Sequence, residues 1–134
     1  MKAVTIAVLA APIVVPPTAW PQPLQDQSVE TVTIRLSNFA FNPEQLRLRV
    51  GVPVRLHLEN AASGGHNFSS PALFAASILQ DGPPPRNGKI EVAGSSSSLD
   101  IVLTPRAPGT YKFECTHFLH SLFGMTGTIV VTGP

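Results

Sequence analysis

The stretch that decides the fold is Tyr111-Lys-Phe-Glu-Cys115-Thr-His117-Phe-Leu-His120-Ser-Leu-Phe-Gly-Met125-Thr-Gly-Thr-Ile129-Val-Val131. Its two ends read as strands. Tyr111, Phe113 and Cys115 alternate with Lys112 and Glu114, and Ile129 and Val131 share one face of a second run. A period of two marks a strand with one buried face. By that parity Cys115 points into the core at the end of its strand. The loop from Thr116 to Gly124 can then return His120 and Met125 toward the same point.

The same rhythm runs outward along the chain. Val32, Ile34 and Leu36 form one inward set. Leu46, Leu48 and Val50 form a second, Val54, Leu56 and Leu58 a third, Ile90 and Val92 a fourth, and Leu99, Ile101 and Leu103 a fifth. Asn42-Pro43, Gly51, Gly88, Gly94 and Pro108-Gly109 supply turns between them. One segment breaks the pattern: Ser70-Pro71 followed by ALFAASILQ predicts a capped short helix with proline at its first position. Asp81 to Asn87, with three consecutive prolines, predicts a loop. Seven to eight strands in this length predict an all-β, antiparallel Greek-key β-sandwich with one short helix.

Composition agrees. The chain has 134 residues, 43% of them hydrophobic and 13% charged, which fits a single domain and not a charged disordered tail. Fourteen prolines and ten glycines argue against a helix bundle. A formal charge of +1 signals neither nucleic acid nor an anionic membrane. One cysteine excludes an internal disulfide framework.

Lys2 and the apolar run Ala3 to Val15 are too short for a spanning helix and suit a secretory signal peptide over residues 1–19. Pro17 matches a cleavage motif poorly, and a membrane anchor or apolar tail is the other reading. Residues 20–28 read as a linker and 29–134 as the folded domain. Export would place a lone cysteine in an oxidising compartment, where it must be buried, paired with another chain or bound to something.

Cys115 is the sole cysteine, and Met125 is the sole methionine besides Met1. Gly64-Gly65-His66-Asn67-Phe68 adds an imidazole from far upstream, as in a site closed across two sheets. One thiolate, imidazoles and one thioether are the donor set of a blue-copper centre, with two His and one Cys around the ion and a weak axial Met. Alone, Cys115 would be an inert core thiol and Met125 a packing residue; their company reverses that.

The ordered set Phe41-Asn-Pro43, Leu46, Val50-Gly51, Val54, His66-Asn67, Pro108 to Cys115 and Gly124 to Thr128 resembles the cupredoxins, small blue-copper proteins that include plastocyanin and azurin. The resemblance spans roughly residues 30–132. It implies His66, Cys115, His120 and Met125 as ligands of one copper ion. It also implies an Asn67 side chain that ties the first-ligand loop to Thr116, and more loosely a Gly65 carbonyl facing the metal. Two departures stand out: a second loop histidine, His117, and the lack of the proline common in such loops. His120 is preferred because Cys-x4-His-x4-Met is a spacing the family uses, and because His117 follows Cys115 too closely to share its metal easily.

The function these residues imply is a one-electron carrier, periplasmic or secreted, and not an enzyme. Glu114 and Thr116 flank the cysteine where multicopper oxidases place histidines, and nothing marks an oxyanion hole for a thiol hydrolase. Copper handling, as a chaperone, store or sensor, is kept open by His117. Phe118, Leu119, Leu122 and Phe123 either fill the end of the sandwich or form an uncharged face for transient docking of redox protein partners near His120. No nucleic acid, no stable membrane insertion after signal cleavage and a monomer complete the expectation. His57 alternates outward with Arg55 and Glu59 as a surface residue, and Ser95 to Ser98 reads as a turn.

Overall fold

The computed structural model describes residues 28–120 and 122–134, together with Val14. The signal peptide expected over 1–19 and nearly all of the linker expected over 20–28 lie outside the described residues. No helix among the described residues is long and apolar enough to cross a membrane.

Among the described residues ten strands and one helix follow in the order β1 (Glu30–Ser37), β2 (Ala40–Asn42), β3 (Gln45–Arg49), β4 (Val54–Asn60), β5 (His66–Ser69), α1 (Pro71–Ala75), β6 (Ser77–Asp81), β7 (Lys89–Val92), β8 (Ser98–Pro105), β9 (Gly109–Glu114) and β10 (Thr126–Thr132). They form two five-stranded sheets, ordered β2-β1-β4-β8-β6 and β3-β10-β9-β5-β7. The sandwich with one short helix is as the sequence predicts, with more strands than the seven to eight expected. Its pairing is mixed rather than wholly antiparallel: β1 runs parallel to β4, and β3 parallel to β10. Period-two patterning reports which face of a strand is buried, not the direction of its neighbour, so these pairs are invisible to it.

The inward sets meet as the alternation requires. Ile34, Leu36, Leu46, Leu48, Val54, Leu56, Leu58, Ile90, Val92, Ile101, Leu103, Phe113, Ile129 and Val131 are all in one buried cluster, with Val32, Val50, Leu99 and Tyr111 packed at its margin. Phe41, Phe68 and Phe113 add an aromatic centre. Phe41 meets Phe113 edge-on at 4.9 Å, and Phe68 stacks on Phe113 at 5.1 Å. Such contacts contribute about 0.5–1.5 kcal/mol each beyond the area they bury.

The helix is shorter than predicted. It ends at Ala75, and Ser77-Ile-Leu-Gln80, expected to continue it, pairs together with Asp81, expected to begin the loop, with the edge of β8 as β6. An open strand edge offers a full ladder of backbone partners, which one further helical turn on the surface does not. Nor does Ser70 cap the helix with its side chain; its hydroxyl donates to the Lys112 carbonyl at 2.7 Å and ties the helix start to β9. The proline-rich segment before β7 is a loop, and Ser95 and Ser96 form a turn at φ of 60° and 63°.

On the outer face, His57 Nδ1 and Arg55 both contact Asp100, at 2.6 and 3.1 Å. The hydrogen bond from His57 holds the Asp100 carboxyl below its ordinary value; partial burial opposes this, and Arg55 reinforces it. A carboxyl depressed in the folded state contributes stability above its unfolded value and loses it as pH falls through the folded one. Asp100 is 42% exposed, so solvent screening limits the gain to less than about 1 kcal/mol. Asp100→Asn is therefore expected to lower the urea midpoint at pH 7, and its difference from the native chain should shrink as pH falls through the depressed value of the Asp100 carboxyl.

Candidate metal centre

The site grows from the point where two neighbouring strands stop pairing. β5 and β9 share a single register pair, Ser69 with Glu114. Beyond it the ladder opens. The Asn67 amide donates instead to the Cys115 sulfur at 3.4 Å. An N–H aimed at sulfur fixes the position of that donor from outside, as the partners around metal ligands do. Cys115 is fully buried, in line with its inward parity. His66 opens β5 and Cys115 follows β9, so the site is built within one sheet rather than across two. The long sequence separation suggested opposite sheets; the topology makes β5 and β9 neighbours.

The approach to His66 is shaped by a buried asparagine. Asn60 donates to the carbonyls of Gly64 and Ala93, both at 2.9 Å, and accepts from the Ala62 amide. This satisfies the tight 60–65 turn from within. Gly94 lets the turn pack flat, since a Cβ there would meet the Ser63 carbonyl at 2.1 Å.

The ligand loop is closed by its own backbone. The Cys115 amide donates to Met125 at 3.1 Å, the Met125 amide to His120 at 3.0 Å, and the His120 amide to His117 at 3.0 Å. These bonds bring the main chain of Met125 beside both Cys115 and His120, and the Met125 side chain is fully buried.

The outcome is a compact donor cluster. Nδ1 of His66 lies 3.1 Å from Nδ1 of His120 and 3.8 Å from the Cys115 sulfur, and His120 Nδ1 lies 3.4 Å from that sulfur. A point equidistant from the three atoms lies about 2.0 Å from each, against ~2.0–2.3 Å for metal bonds to imidazole and thiolate. His66 Nε2 is buried with no partner among the described residues, so every polar contact of that ring is made through Nδ1, inside the cluster. Burial, and then the nearby His120 and His117 imidazoles, push His66 below the ordinary imidazole value and keep it neutral. A neutral imidazole is the form that ligates. Two imidazoles and one cysteine sulfur so spaced fit one copper ion, and the buried Met125, whose main chain lies beside Cys115 and His120, is the thioether of the expected set.

His117 stands apart. Its Nε2 contacts Glu91 Oε2 at 3.0 Å, and its ring centre is 5.7 Å from that of His120 and 6.4 Å from that of His66. Asn67 bridges the two halves of the site. Its carbonyl accepts from the Thr116 amide and its amide donates to the Thr116 hydroxyl, both at 2.9 Å. The same amide donates to Glu91 at 3.2 Å.

Phe118, Leu119, Leu122 and Phe123 do not fill the sandwich end; all four are exposed, Phe118 by 87%. Sequence reasoning missed Phe39. It projects from the β1–β2 turn at φ 61° and packs edge-on against His120 at 5.1 Å and Phe123 at 5.4 Å. An aromatic inside the polar turn Ser37-Asn38-Phe39 was the available signal.

A two-sheet sandwich that gathers a buried thiolate and two imidazoles at one end defines a class of small mononuclear metal proteins. Within it, a family model described as a cupredoxin-like domain matches residues 5–131, and the chain belongs to that family. No curated protein sequence matches the chain. Among solved structures, dithionite-reduced auracyanin from the photosynthetic bacterium Roseiflexus castenholzii is 25% identical, with a TM-score of 0.60 over 76% of this chain and 96% of that one. Auracyanin A from Chloroflexus aurantiacus, described as a "blue" copper protein, is 21% identical, with a TM-score of 0.54 over 76% and 99%. A multicopper oxidase from Pediococcus acidilactici shares the fold at 15% identity and a TM-score of 0.61, over 92% of this chain but only 31% of the enzyme.

Asn67→Ala removes both contacts to Thr116 and leaves the Thr116 amide without its partner. The expected cost is about 1–3 kcal/mol in denaturant unfolding of the metal-free protein. Metal affinity, read by competition with a chelator, should fall roughly 10–100-fold.

Proposed function

We propose that this chain is a one-electron carrier that holds a single copper ion through His66, Cys115, His120 and Met125. The observation that carries this reading is the triangle of two imidazole nitrogens and one sulfur, already spaced for a trigonal ion. Bound copper would supply a reversible Cu(II)/Cu(I) couple. The chain's own residues do the rest. The Asn67 amide holds the Cys115 sulfur in place, the Asn67–Thr116 contacts fix its loop, and burial keeps the His66, Cys115 and Met125 side chains from rearranging. Donors that stay in place in both oxidation states leave little to reorganise on transfer. The reduced auracyanin of R. castenholzii, a redox-active relative in fold, supports the same reading.

An enzymatic role has less support. Glu114 and Thr116 flank the cysteine, so no histidine pair leads from it to further metals. Copper handling would favour exposed ligands, whereas Cys115 and His66 are buried. Export to the periplasm, or secretion, follows from reading residues 1–19 as a signal peptide, and suits a reactive thiolate kept out of solvent.

Adding Cu(II) to the chain without residues 1–19 is expected to produce an intense thiolate-to-copper band and narrow hyperfine splitting in electron paramagnetic resonance. Cys115→Ser should abolish the band while the sandwich still folds, and His120→Ala should strongly alter it. A colourless native product with ordinary copper splitting would overturn the reading.

Electrons would leave through His120 across the face formed by Phe39, Phe118, Leu119, Leu122 and Phe123. None of these five residues is charged, so docking of a redox protein through them should depend only weakly on salt. Phe118→Ser and Phe123→Ser should each slow electron exchange between oxidised and reduced copies, read by nuclear magnetic resonance line broadening, by about tenfold at unchanged reduction potential. Unchanged exchange rates would place the exit elsewhere.

A further inference from the structure

The copper reading leaves one imidazole and one carboxylate unused, and the two hold each other. Antiparallel pairing of β5 with β7 sets Glu91 directly opposite Asn67, so both side chains project on the same side of the ladder. Both carboxylate oxygens are engaged: Oε1 accepts from Asn67 at 3.2 Å, and Oε2 meets His117 Nε2 at 3.0 Å. The His117 main chain is fixed as well, because its carbonyl accepts from the His120 amide. What remains to His117 is rotation of its side chain, which is 37% exposed and stands beside both His66 and His120.

Resting on that copper reading, we propose that Glu91 is a positioning residue that latches His117 away from the metal and so preserves a two-imidazole centre. His117 is then a latent third nitrogen donor: its closeness to Cys115 in sequence argues against easy sharing of the metal, but its ring already stands 5.7 Å from that of His120 and 6.4 Å from that of His66. Cu(II) with more nitrogen donors favours a tetragonal arrangement over the trigonal one that a His, His, Cys set supplies. A third imidazole would therefore weaken the thiolate bond and remove the narrow-splitting signature. Glu91 is held ionised to the same end: burial would raise its carboxyl, but the hydrogen bonds from His117 and Asn67 outweigh that and hold it below the ordinary value.

The test uses the copper-loaded protein and its visible and electron paramagnetic resonance spectra. Glu91→Ala frees His117, and the expected result is loss of the narrow splitting and of most of the thiolate band. Adding His117→Ala to that variant should restore the native spectrum, because the competing donor is gone. Glu91→Gln, which keeps an oxygen for Asn67 and a polar partner for His117, should restore it too. A native spectrum in Glu91→Ala would overturn the proposal. So would a perturbed spectrum that His117→Ala fails to rescue, since Glu91 would then act through Asn67 alone. Failure of the copper reading looks different: the native chain itself would lack the thiolate band.

Discussion

The rest of the site depends on the pair of hydrogen bonds between Asn67 and Thr116. Two neighbouring strands that continued their ladder would leave no room for an ion between them. β5 and β9 separate after one register pair, and buried backbone groups freed in that way must find other partners. The Asn67 side chain takes the Thr116 amide, and the Asn67 amide turns to the Cys115 sulfur. The same residue thus sits at the gap, satisfies the backbone freed there and holds the sulfur that faces it.

Below this opening the core is stiff. Phe41, Phe68 and Phe113 interlock under the strands that carry His66 and Cys115, and Asn60 fills the turn that delivers His66. Interiors packed at crystal-like density do not deform smoothly, so donor spacing is transmitted from the core to the site. The ligand loop is less deeply held. It relies on three backbone bonds among Cys115, His117, His120 and Met125, while its apolar residues turn to solvent. Buried donors at the base and an exposed apolar rim around His120 are compatible with the electron-carrier reading proposed above.

The two histidines of the loop divide along the same line. His120 lies against Phe39 and turns its Nδ1 to the sulfur. His117, three residues earlier, meets Glu91 on β7 instead. The difference is made by neighbours from other strands, not by the loop's own sequence.

Much was legible in the residues alone. Alternation along Tyr111 to Cys115, Val54 to Leu58 and Leu99 to Leu103 gave the strands and their buried faces, because a two-residue period has only one physical meaning in a half-buried sheet. A single cysteine, a loop histidine and a methionine at Cys-x4-His-x4-Met spacing pointed to a soft-metal site by donor chemistry. Other features required the third dimension. Pattern along a strand carries no record of its neighbour, so the parallel β1–β4 and β3–β10 pairs, the conversion of Ser77–Asp81 into a strand, and the placing of His66 in the same sheet as Cys115 were decided by packing. The same holds for Glu91 and Phe39. Each touches the site only through a register or a turn, and local sequence determines what a residue can do while the fold determines whom it meets.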